Sequence, residues 1–82
     1  MAATRKEIII APKALEMMEA AHPTGAEREA LLQVVRELAT DVSRAYRILF
    51  VYPPTYRIDV GRFRIHFRLD DTHVRVGFIG VY

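Results

Sequence analysis

Two hydrophobic periods divide the chain. In the first half apolar residues recur at helical spacing, and in the second half they alternate with polar ones. The alternation is strictest in RFRIHFRLDD, residues 62–71, where Phe63, Ile65, Phe67 and Leu69 share one parity and Arg62, Arg64, His66 and Arg68 the other. Successive side chains of a strand leave opposite faces of a sheet, so this segment predicts a strand that is apolar on one side and basic on the other. Upstream, EIIIA (Glu7 to Ala11) predicts a short β-branched strand running into a helix at Pro12, a residue suited to a first turn that needs no amide donor. Ala14, Leu15, Met18 and Ala21 then follow at helical spacing, and His22-Pro23 ends the helix. Thr24-Gly25-Ala26-Glu27 has the form of a capping box, and Leu31, Val35, Leu38 and Val42 predict the buried stripe of a second helix. Met17 and Met18 fit as filler between the helices.

The strand pairing follows from the turns. Gly61-Arg62 suits a two-residue type II′ hairpin, which sets Val60 against Phe63, Ile58 against Ile65 and Tyr56 against Phe67. A turn at Asp70-Asp71 sets Phe67 against Val74, Ile65 against Val76 and Phe63 against Phe78, and a four-residue loop slides this register by two without exchanging faces. On the opposite face the first register lines up Arg57, His66 and Arg75, then Asp59, Arg64 and Gly77, with Arg68 beside His73. Gly77 then leaves a notch next to Arg64. Tyr46 to Tyr52 is predicted as a further strand, apolar on both sides and therefore covered, either by the second helix or by a partner. The fold class expected is α+β: a single domain, residues 1–82, with two N-terminal helices on one face of a small, mainly antiparallel sheet in βααβββ order.

Composition narrows the function. A chain of 82 residues without cysteine has no disulfide framework and no thiolate metal site, and it fits a cytoplasmic protein that relies on packing. Its apolar runs are too short to span a bilayer, and MAATRKE lacks the apolar core of a leader peptide. The net charge of +2 hides an asymmetry: residues 1–43 hold five basic and seven acidic side chains, and residues 44–82 hold seven arginines against Asp59, Asp70 and Asp71. Ten of the twelve basic residues are arginine, whose planar fork matches phosphate and stacks on bases, so the expected partner is an anion.

The order of parts resembles the RelE/ParE toxins of bacterial toxin–antitoxin systems. EIIIAPKALEMM is similar to the family's opening, and TYRIDVGRFRIHFRLDDTHVRVGFIGVY is similar to its later Tyr-Arg-Ile-x-Val-Gly-x-Tyr/Phe-Arg pattern with the strand, acidic turn and final apolar strand that follow. The resemblance implies a metal-free, ribosome-dependent mRNA endoribonuclease that needs no cofactor and is held by a cognate antitoxin. It also leaves open a ParE-like inhibitor of DNA gyrase, or a non-catalytic nucleic-acid-binding or assembly module on the same fold, alone or as a homo-oligomer. Arg64 falls on the arginine that grips the scissile phosphate, and Arg57 on a basic position nearby. Asp59 stands where members often have a basic residue. Tyr82 matches the tyrosine ending the YoeB-like branch, but Val81 precedes it where that branch has histidine.

Metal-free RNA cleavage needs a base for the 2′-hydroxyl proton, cations for the developing phosphorane charge and an acid for the 5′-oxygen. His66, flanked by arginines that favour its neutral form, is the candidate base, and Tyr82 the candidate acid. The expected catalytic set is thus Arg64, Arg57, Tyr82 and His66, with Arg62, Arg68 and Arg75 binding nucleic acid and no residue holding a metal. The competing reading of the same residues is a solvated strand face.

Overall fold

The computed structural model describes residues 5–82; residues 1–4, which open the segment read as lacking a leader, lie outside the described residues. The elements are β1 (Glu7–Ile10), α1 (Pro12–Ala20), α2 (Gly25–Glu37), β2 (Tyr46–Ile48), β3 (Thr55–Val60), β4 (Phe63–Leu69) and β5 (His73–Val81). The sheet runs β1-β5-β4-β3-β2, with β1 parallel to β5 and every other pair antiparallel. This is the α+β architecture expected, with the short β2 appended to the edge of the meander. Among the described residues no helix is long and apolar enough to cross a membrane.

Local chemistry accounts for the helix boundaries. Pro12 occupies the first turn of α1. At α2 the Thr24 hydroxyl accepts from the Glu27 amide at 3.1 Å, and the Thr24 amide donates to Glu27 Oε1 at 2.9 Å, so the capping box closes in both directions. The α2 helix stops at Glu37, one turn before the expected stripe ends. Val42 lies beyond it but still packs against the core. Ala14 and Met18 of α1 and Leu31, Val35 and Leu38 meet Ile58, Phe63, Ile65, Phe67, Val74, Val76 and Ile79 of the sheet in one buried cluster. Met17 is only half-buried.

The β3–β4 hairpin has the expected register, with Gly61 at φ 58° supplying the positive φ of a type II′ turn. The β4–β5 hairpin departs from expectation twice. Its turn centres on Asp71-Thr72, with Asp70 Oδ1 accepting from the Thr72 and His73 amides at 2.9 and 2.7 Å, so Leu69 meets Val74 and Phe67 meets Val76. That is the slid register. Beyond it a β-bulge between His66 and Phe67 admits Gly77 as an extra residue, and His66 then meets Phe78, Ile65 meets Ile79 and Arg64 meets Gly80. Phe78 therefore changes faces. The expected rows Arg57–His66–Arg75 and Asp59–Arg64–Gly77 are replaced by Arg57–His66–Phe78 and Asp59–Arg64–Gly80, and Arg68 stands opposite Arg75 instead of His73. Phe63 and Phe67 already flank Ile65 under the helices, and a third ring in that layer would overfill it. Fully buried Ile79 takes the slot instead.

The 46–52 segment also differs. Pairing stops at Ile48, Phe50 sits in the left-handed region at φ 63°, and a cis bond precedes Pro53. Leu49, Phe50 and Tyr52 are 69%, 104% and 90% exposed, so the segment is not buried against α2.

Two tests follow from this packing. Ile65→Ala removes a side chain with no exposed surface from the centre of the core. It should cost about 2–5 kcal/mol in urea unfolding, a large share of the total stability of a domain this size. Arg62 Nε donates to Glu27 Oε2 at 2.6 Å, and this bond, with the Thr24 amide, holds the Glu27 carboxyl at about 2, below its ordinary 4.5. Because the folded value lies below the unfolded one, the stabilisation is full above about 4.5 and is lost as pH falls towards 2. Glu27→Gln should flatten the acid-unfolding curve in that window, and an unchanged curve would contradict the assignment.

Candidate nucleic-acid interface

Helices cover one face of the sheet and leave the other open. Alternation along β3 and β4 delivers Arg57, Asp59, Arg64, His66 and Arg68 to the open face, and β5 adds Arg75 before the bulge and Phe78 after it. Arg57, Arg64, Arg68 and Arg75, against Glu7, Asp59 and Asp70, give this surface a local balance of four positive charges to three negative. Arg62 does not belong to it. As the second residue of the hairpin turn it folds back to the helices, donating to both Glu27 oxygens and, at 3.2 Å, to the Ala21 carbonyl.

Each remaining guanidinium is held differently. Arg64 Nε donates to Asp59 Oδ1 at 3.1 Å, and its carbon lies 4.1 Å from the centre of the Tyr82 ring, a cation–π stack. Nε is thus committed, whereas the two terminal nitrogens have no hydrogen-bond partner among the described residues. Arg75 Nε donates to Asp70 Oδ2 at 3.0 Å. Arg57 lies 5.9 Å from the Tyr46 ring, and Arg68 makes a long contact, 3.4 Å, with the Thr55 hydroxyl. Among the described residues neither Arg57 nor Arg68 has a carboxylate within ion-pair distance. Like-charged Arg68 and Arg75 stand directly opposite each other, and the Asp70 carboxylate beside Arg75 offsets their repulsion.

His66 occupies the centre of the face. Its ring lies 4.8 Å from that of Phe78 at 31°, and its Nε2 is buried with no hydrogen-bond partner among the described residues. Burial first, then the Arg64 and Arg57 charges, push its pKa below the ordinary 6.5, and Asp59 opposes them only in part. The ring is neutral at pH 7. A cavity of about 690 Å³ opens over this part of the sheet, between Ile9 on β1, Ile48 and Val51 on the other side, and Arg68, Arg75 and Phe78 on the floor and rim. Among the described residues no three His, Asp or Glu side chains converge as a metal would require.

The structure therefore brings Arg57, Arg64, His66, Arg68 and Arg75 to one face, stacks Tyr82 on Arg64 and removes Arg62. Phe78 and Gly80 were missed by the sequence reading. The available signal was Gly77, since an isolated glycine inside an alternating strand marks a bulge. Gly80 matters because a Cβ there would stand 2.8 Å from the Phe78 ring. Comparison of the chain with protein-family models and with curated proteins finds no match in either.

The His66 environment has a measurable consequence. Its ring should titrate below 6.5 by NMR, and Arg57→Gln should raise the value by removing one of the repelling charges. The folded state resists protonation more than the unfolded chain does, so stability should fall as pH drops through 6.5. A His66 that titrates above 6.5 would contradict the geometry.

Proposed function

We propose that the open face of the sheet binds an RNA phosphodiester backbone and that the protein is a RelE/ParE-like toxin, acting as a metal-free endoribonuclease on mRNA at the ribosome. The observation that carries this reading is that Arg57, Arg64, Arg68 and Arg75 project from three adjacent strands onto one open face, with Arg68 and Arg75 lining its groove. The resemblance of EIIIAPKALEMM and TYRIDVGRFR to that family supports it. A cytoplasmic location and a cognate antitoxin as partner belong to the same reading.

In this mechanism the 2′-oxygen attacks the adjacent phosphorus and the bond from phosphorus to the 5′-oxygen breaks, leaving a cyclic phosphate and a free 5′-hydroxyl. Arg64 offers its terminal nitrogens to the non-bridging oxygens as charge develops, while Asp59 and Tyr82 fix its plane. Tyr82, stacked on Arg64, supplies the proton for the leaving oxygen. Neutral His66 is the base one row away, taking the 2′-hydroxyl proton after its ring turns out from beside Phe78. The enclosed Nε2 favours a second reading, in which the face binds without cutting and the exposed Leu49, Phe50 and Tyr52 engage a protein target such as gyrase.

Binding of single-stranded RNA should weaken with salt, with a slope of log K on log salt of about −2 to −3 for three or four phosphates engaged. A flat response would remove the phosphate assignment. Arg64→Lys keeps the charge but loses the fork, and should reduce cleavage roughly 10- to 100-fold, the worth of one charge-assisted hydrogen bond, with unfolding unchanged. Induction without the antitoxin should halt translation. Intact translation with blocked DNA replication would favour the second reading.

A further inference from the structure

Phe78 has no part in the phosphate chemistry, yet the bulge sets it in the middle of the basic face. Its ring is backed by His66 at 4.8 Å and passes over Gly80, where a Cβ would stand 2.8 Å away. It lines the same cavity as the aliphatic side chains of Ile9, Ile48 and Val51. The polar contribution comes from Arg68, Arg75 and His66, whose Nε2 is the one buried side-chain nitrogen or oxygen without a partner among the described residues.

We infer that this groove holds one unpaired nucleobase of a single-stranded RNA, stacked on Phe78, with phosphates of the same strand on Arg68 and Arg75 to one side and on Arg64 to the other. The inference rests on the RNA-binding reading and adds the residue that grips a base. Three successive rows of the sheet carry it: Arg68 with Arg75, His66 with Phe78, and Arg64 with Gly80. Rows on one face are two residues apart, about 6.8 Å, so the Arg68–Arg75 and Arg64 rows lie about 13.6 Å apart and span roughly two nucleotides of an extended strand, with Phe78 between them. An aromatic platform inside a basic groove is how proteins hold single strands without reading sequence, because every base has a π-face. A duplex hides those faces.

The test compares an unstructured single-stranded oligoribonucleotide with an abasic ribose-phosphate strand of the same length and charge, by fluorescence anisotropy at low salt. The parent protein should bind the intact strand about ten-fold more tightly, the order of one base–aromatic stack. Phe78→Leu should bring the two affinities to parity while keeping the salt dependence. Phe78→Trp should restore the preference, and its indole emission should be quenched by the intact strand and not by the abasic one. This variant reports on stacking even if Phe78→Leu folds poorly. Equal affinity of the parent for both strands, with a steep salt slope, would overturn the base site and leave the phosphate-binding face standing. Failure of both strands to bind at low salt would overturn the base site and the phosphate-binding face together.

Discussion

Seven residues of β4, 63–69, are matched by eight of β5, 74–81, and the extra residue is Gly77. A strand has a period of two, so one inserted residue exchanges every later side chain between faces. The exchange sends Ile79 into the core opposite Ile65 and brings Phe78, Gly80 and Tyr82 to the open side. Without it, Phe78 would point beneath the helices and Arg64 would have no aromatic ring stacked on it. The core and the candidate site are thus set by the same irregularity.

The face it creates is not a uniform basic patch. Arg64 is fixed by Asp59 and Tyr82, Arg75 is held by Asp70, and Arg57 and Arg68 have no carboxylate partner among the described residues. Guanidiniums restrained at Nε and open at their ends suit bidentate anion recognition, because little side-chain freedom remains to be lost on binding. The half-buried, neutral His66 lies between them and packs against Phe78 at the centre of the face. The result is a groove with cationic margins and an aromatic floor.

What could be read in the sequence was local. The capping box at Thr24 and Glu27, the Gly61 turn and the alternation of β4 each depend on residues within one turn or one strand, and each holds. The failures depend on distant neighbours. Arg62 has the parity of the open face but leaves it for Glu27, 35 residues away in the chain. VRVGFIGVY alternates equally well in either register, and it is Ile79, packed among Phe63, Ile65 and Phe67, that is buried rather than Phe78. The apolar 46–52 stretch gave no sign that its turn would project into solvent. Four of the five arginines expected on the face were legible, and the aromatic ring between them was not.

The most direct test is a backbone and side-chain NMR map of the protein titrated with a short single-stranded oligoribonucleotide. The account predicts shifts concentrated at Arg57, Arg64, His66, Arg68 and Phe78, with Leu31 and Val35 on the helix side unmoved. Shifts confined to Leu49, Phe50 and Tyr52, or to α1 and α2, would contradict it.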